Sequence, residues 1–167
     1  CASYRGYLNF RLDFNDVRLS KAHILGEEGR GLELSGKWLG MGRIWVGATC
    51  CGKAERLFAL ASQWAAERKQ FGQPIGKFQG TGFKLADMAV ELRAADLLVN
   101  DAIAKANEGI MSDADAAMVK LFCSEMLNRV ADSTMQIYGG MGLMEELPIH
   151  RLWRDSRLER IWDGTSE

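Results

Sequence analysis

From Leu85 to Ala106 the apolar residues fall three and four apart without a slip: Leu85, Met88, Leu92, Ala95, Val99, Ala102 and Ala106. Lys84, Asp87, Glu91, Asp101 and Lys105 lie off that stripe. A spacing near 3.6 turns one face of an α-helix toward a core, and so narrow a seam suits an antiparallel bundle. The spacing predicts a helix over about 81–107, and a bundle needs partners of similar length. One lies upstream: Leu34, Trp38, Met41, Trp45 and Ala48, continued by Leu57, Ala61, Trp64 and Ala65, predict a helix over about 32–69. Gly36, Gly40, Gly42, Gly47 and Gly52 should each weaken it by ~1 kcal/mol relative to Ala. They mark close approach by a partner helix or ligand, or a break. A third helix, about 113–138, is apolar around much of its circumference through Ala117, Met118, Leu121, Phe122, Met126, Leu127, Val130 and Met135. Such a helix is central or lies at a subunit interface. Ser112 and Asp115 imitate a capping box at its start. Pro148 opens a shorter fourth helix, "PIHRLWRDSRLERIW", as proline does at a first helical position.

Ahead of the helices, Leu8, Phe10, Leu12 and Phe14 alternate with Asn9, Arg11, Asp13 and Asn15. Period two predicts one half-buried strand, and a lone strand needs sheet partners from elsewhere. Both ends read as those of a fragment. The expected organisation is an all-α, up-and-down four-helix bundle over 29–167, cut at its C-terminal edge, preceded by one strand of a truncated β-domain at 1–28. The turns fall at "GEEGRG" (26–31), "FGQPIGKFQGTG" (71–82) and "YGGMGLMEELP" (138–148).

A net charge of -1 gives no electrostatic case for nucleic acid or an anionic membrane. No uninterrupted apolar run reaches membrane length. Cys1, Cys50, Cys51 and Cys123 resemble neither a disulfide framework nor a zinc site, and with only His23 and His150 no metal is expected. The thiols read as reduced, in a bacterial cytoplasm or a mitochondrial matrix.

Taken singly, "ERKQFG" (67–72) is a helix end with a turn and "QIYGGMG" (136–142) a glycine turn. Together, in order, with "RIWDGTSE" (160–167), they change the reading. The chain resembles the acyl-CoA dehydrogenase family over essentially all of its length. "FNDVRLSKAHILGEEGRGL" looks like the exit of the family's middle β-domain, and the rest of the chain looks like its C-terminal helical domain. The resemblance implies FAD-dependent oxidation of an acyl-CoA thioester to the 2-enoyl-CoA. It implies that a carboxylate takes the α-proton while flavin N5 accepts the β-hydride. Asp163 stands where the family has its catalytic glutamate, one methylene shorter. The bland reading makes Asp163 a turn residue before Gly164. Some members place the base on the first long helix, but that position is Gly42 here. An aspartate common three residues before the family's arginine is Gly40 here, and Arg43 matches the arginine itself.

For the cofactor, the resemblance implies that Arg68 meets the FAD pyrophosphate, with Phe71 beside it, and that Gln79 reaches the FAD of a neighbouring subunit. Gln136, Gly139 and Gly140 match the loop on the adenosine side. Thr165, Ser166 and Glu167 match the stretch lining the flavin, and Arg43 and Gly164 fall at the substrate. Trp64 and Trp162 replace the usual tyrosines, and packing accounts for them as well as ligand contact does. Glu146 and Arg154 read as a structural acid and base holding the last helices. The implied partners are a homodimer or homotetramer and an electron-transferring flavoprotein as acceptor. Two other readings stand beside this one. A flavin oxidase resembling nitroalkane oxidase is favoured by Asp163 and disfavoured by "GTSE". A helical assembly module without chemistry would be expected to lose Arg68 or the carboxylate at 163, and neither is lost.

Overall fold

The computed structural model describes residues 2–167; Cys1, one of the thiols read as reduced, lies outside them. Four helices form: α1 (Gly31–Glu67), α2 (Gln79–Asn107), α3 (Asp113–Tyr138) and α4 (Pro148–Glu159). Their directions can be read from which residues meet. Gly47 of α1 lies against Val119 near the start of α3. Further along, the Thr134 hydroxyl donates to the Leu57 carbonyl at 3.4 Å and Tyr138 to the Leu60 carbonyl at 3.2 Å. These two helices therefore run parallel. Helix α2 runs against α3, with Lys105 on Asp115 at 2.8 Å and Arg129 on Glu91 at 2.9 Å. Helix α4 returns along α3, with Trp153 donating to Asp132 at 3.4 Å and Arg160 to Glu125 at 2.7 Å. The result is the up-and-down bundle that the spacing predicts.

The α2 seam is the inward one. Met88, Ala95, Val99 and Ala102 are buried, and Leu85, Leu92 and Ala106 pack against the core. Helix α3 is central and packs on the other three helices. The Ser112 hydroxyl accepts from Asp115 N while Asp115 accepts from Ser112 N, so the capping box is real.

Helix α1 is unbroken for 37 residues, a length of ~55 Å. One of its glycines has a clear packing reason: a Cβ at Gly47 would overlap Val119 Cγ1 and lie 3.4 Å from Val99 Cγ2. All three helices converge there, and Val119 is stiff at χ1. Gly47→Ala should therefore destabilise the bundle by ~1–3 kcal/mol through overpacking, read as a lower urea midpoint at unchanged slope. Gly52→Ala, where a Cβ meets nothing within 4 Å, should be neutral or stabilising.

Two expectations need correction. The apolar residues of the first half of α1 do not face the core: Trp38, Met41 and Trp45 are 71, 55 and 60% exposed. The buried face is Ile44, Gly47, Cys50, Ala54, Leu57, Ala61 and Ala65. The strand over 8–14 does not form either; Leu8, Phe10, Leu12 and Phe14 are all exposed. Its backbone finds no neighbouring strand among the described residues, and an unpaired ladder edge has nothing to hold it. Instead a short antiparallel pair, β1 (Lys69–Gln70) and β2 (Gln73–Pro74), forms where the end of the first helix and the start of the 71–82 turn are expected.

Candidate active site

After α4 the chain makes a tight turn. Asp163 has φ 51° and Gly164 φ 102°. Aspartate and glycine are among the residues that enter this left-handed region most readily. The turn is tied from three helices. From α1, Arg43 Nε donates to the Asp163 carbonyl at 3.1 Å, and from α3, Lys120 Nζ donates to the Gly164 carbonyl at 2.5 Å. Glu159, the last residue of α4, accepts from Trp162 Nε1 at 2.7 Å. Because Arg43 and Lys120 hold carbonyls, the Asp163 carboxylate keeps no hydrogen bond or ion pair among the described residues. It lies at a cavity of about 570 Å³ lined by Tyr4, Tyr7, Trp38, Met41, Trp45 and Trp162. Gly42 passes close by, where a Cβ would lie 3.9 Å from Asp163 Oδ2.

Behind the turn lies a charged cluster that the sequence reading misses. Glu159 is fully buried, and one of its oxygens takes Lys53 Nζ at 2.5 Å together with the Tyr4 hydroxyl. Burial, and then the hydrogen bond and charge of Glu159, push the Tyr4 hydroxyl far above its ordinary pKa. Lys120 is buried too; burial lowers its pKa, with Asp163 and Glu159 among the groups opposing the shift. A signal was available: Ile149, Leu152, Ser156 and Glu159 repeat at three and four, so Glu159 occupies a core register. A charge in such a register has to be paired or functional.

The remaining predicted residues gather at the far end of α1. Arg68 ends that helix, its N–H on the Trp64 carbonyl at 2.8 Å. The β1–β2 hairpin comes next, with Phe71 and Gly72 both at positive φ, as tight two-residue hairpins favour. Phe71 is 93% exposed at its tip, and Gln79 opens α2. Trp64 stacks on Tyr138 with centroids 4.6 Å apart, which brings the end of α3 to the same place. Gln136, Gly139 and Gly140 are at that end, and a Cβ on either glycine would meet nothing within 4 Å. The structure thus forms two groups. Arg68, Phe71, Gln79, Gln136, Gly139 and Gly140 share one end, while Arg43, Asp163 and Gly164 lie toward the other. Thr165, Ser166 and Glu167 come after Gly164, with Ser166 N on the Arg160 carbonyl at 3.0 Å. The 25 residues from Arg43 to Arg68 put roughly 37 Å of helix between the two groups. Arg154, read with Glu146 as a structural acid and base, lies beside Asp155 at 3.5 Å.

The sequence profile described as "Acyl-CoA dehydrogenase, C-terminal domain" matches residues 29–167. The chain belongs to the acyl-CoA dehydrogenase family. The short-chain specific acyl-CoA dehydrogenase of Megasphaera elsdenii is 42% identical over 156 residues, 93% of this chain and 41% of that protein. The 3-(aryl)acrylate reductase of Clostridium sporogenes is 41% identical over 91% of the chain and 40% of its own length. The structure of butyryl-CoA dehydrogenase from Megasphaera elsdenii superposes with a TM-score of 0.86 at 41% identity, covering 92% of this chain and 40% of that one. The chain thus spans about two fifths of the acyl-CoA dehydrogenase relatives it matches. No helix among the described residues is long and apolar enough to cross a membrane.

Proposed function

We propose that the protein takes part in FAD-dependent oxidation of an acyl-CoA thioester to the 2-enoyl-CoA, with Asp163 as the base. The observation that carries this reading is the Asp163 carboxylate itself. It is free of partners among the described residues, it lies at a cavity, and its backbone is fixed by Arg43 and Lys120. A base must be held within reach of the proton it removes while its own oxygens stay available. Tying the turn through carbonyls meets both needs.

FAD fits the residues at the other end of the bundle. Arg68 has no ion-pair partner among the described residues, and a guanidinium meets phosphate with paired, charge-assisted bonds. Gly139 and Gly140 leave open space for close backbone approach. When bound, the flavin supplies the acceptor for the β-hydride. With roughly 37 Å of α1 between Arg43 and Arg68, we read Arg68, Phe71, Gln79, Gln136, Gly139 and Gly140 as serving the cofactor of a second copy. Thr165, Ser166 and Glu167 serve the chain's own cofactor. The working form is then a homodimer or homotetramer, in a bacterial cytoplasm or mitochondrial matrix, passing electrons to an electron-transferring flavoprotein. Arg68→Ala should cost ~1.5–3 kcal/mol of FAD binding, about tenfold or more in retention. Flavin absorbance after gel filtration measures it, and unchanged flavin content would remove Arg68 from the site.

The shorter Asp163 favours a second reading, an oxidase resembling nitroalkane oxidase. Anaerobic flavin reduction by a panel of acyl-CoA thioesters and nitroalkanes separates the two. Bleaching by a thioester supports the dehydrogenase; bleaching by nitroalkanes alone overturns it.

A further inference from the structure

Five aromatic side chains line the cavity at Asp163: Tyr4, Tyr7, Trp38, Trp45 and Trp162. Three of them ring Trp162. Tyr4 lies 5.3 Å from it at 46°, Tyr7 6.4 Å at 90° and Trp45 6.3 Å at 56°. The Trp162 wall is fixed before any ligand arrives, because its Nε1 is on the buried Glu159, itself held by Lys53 and Tyr4. Trp38 and Trp45 keep much of their surface open. Gly42 places no side chain between α1 and the carboxylate.

We propose that this cavity selects a thioester whose acyl group carries an aryl ring next to the reacting carbons, a 3-arylpropanoyl group, over a straight alkyl chain. The inference rests on the thioester-oxidation reading. Aromatic rings prefer tilted or edge-to-face partners with centroids about 4.5–7 Å apart, and the tilted walls offer a planar guest both faces and edges. An alkyl chain gains only area burial there. A cationic guest fits poorly: the Lys53 ammonium already sits 4.4 Å over the Tyr4 ring, and Arg43 and Lys120 back the turn. The bare Gly42 and the short Asp163 leave room for a wide group beside the base.

The test is binding without turnover. Flavin-loaded protein is titrated with 3-phenylacryloyl-CoA, 2-butenoyl-CoA and 2-octenoyl-CoA, by calorimetry and by tryptophan fluorescence. The aryl thioester should bind about tenfold tighter than either straight chain and quench tryptophan emission more strongly. Trp45→Ala should erase that preference while changing 2-octenoyl-CoA binding by only about two- to threefold. Trp153→Phe, on the outer side of α4, should leave the preference intact. Equal or tighter binding of a straight chain, or an equal loss for both ligand types in Trp45→Ala, overturns this inference alone. Failure of every thioester to bind overturns the oxidation reading and this inference with it.

Discussion

Asp163→Asn should slow flavin reduction by ~100- to 10,000-fold while flavin content stays at the wild-type level. The amide is nearly isosteric, so the cavity at Trp162 keeps its shape. The ties that hold the turn reach the Asp163 and Gly164 carbonyls rather than the carboxylate, so they survive the exchange. What is lost is the ability to accept a proton at neutral pH. Stability should therefore change little, and a variant that unfolds would point to a structural role for the carboxylate instead. Asp163→Glu is the informative companion. It restores the family's usual reach and extends the carboxylate by a methylene into the space beside Gly42, where no side chain stands and a Cβ, if present, would lie 3.9 Å from Asp163 Oδ2. Substantial activity toward acyl-CoA, with an altered acyl preference, is the expected outcome. Anaerobic stopped-flow reduction reads both variants. If the asparagine variant bleaches as fast as wild type, Asp163 is a turn residue and the base lies elsewhere.

The helices were legible because their information is local. The 3–4 alternation in α2 predicts 81–107, and the helix runs Gln79–Asn107; α3 coincides with its expected 113–138. Glycines in α1 were ambiguous because a break and a close crossing look alike along one chain. Only Val119, 72 residues away from Gly47, settles that one as a crossing. The strand over 8–14 fails for the reverse reason: period two fixes which side chains share a face but supplies no ladder partner. The stripe at Trp38, Met41 and Trp45 misleads because it lines the cavity rather than the core. Asp163 and Arg68 become candidates only through family resemblance, since neither spacing nor composition marks them. Glu159 and Lys53 went unseen because their pairing spans 106 residues, and each alone looks like a polar slip in an apolar register.

That unseen pair carries the largest expected effect on stability. Lys53 is 18% exposed at its side chain and Glu159 0%. Lys53→Met should destabilise the bundle by ~3–5 kcal/mol, because it leaves a buried carboxylate without its counter-charge. Tyr4 and Trp162 still donate to Glu159, but dipoles replace a full charge only in part. Against a typical domain stability of ~5–15 kcal/mol, the loss should appear as a large fall in urea midpoint. The double variant Lys53→Met with Glu159→Gln should return to within ~1 kcal/mol of wild type, since an uncharged pair of similar volume removes the desolvation cost along with the attraction. The neutral amide still accepts from Trp162, so the aromatic wall beside Asp163 should stay in place and its fluorescence should match wild type. A single variant that loses less than ~1 kcal/mol would mean that water entering through the open cavity already solvates Glu159. A double variant as unstable as the single would mean instead that the ion pair is strongly favourable in itself.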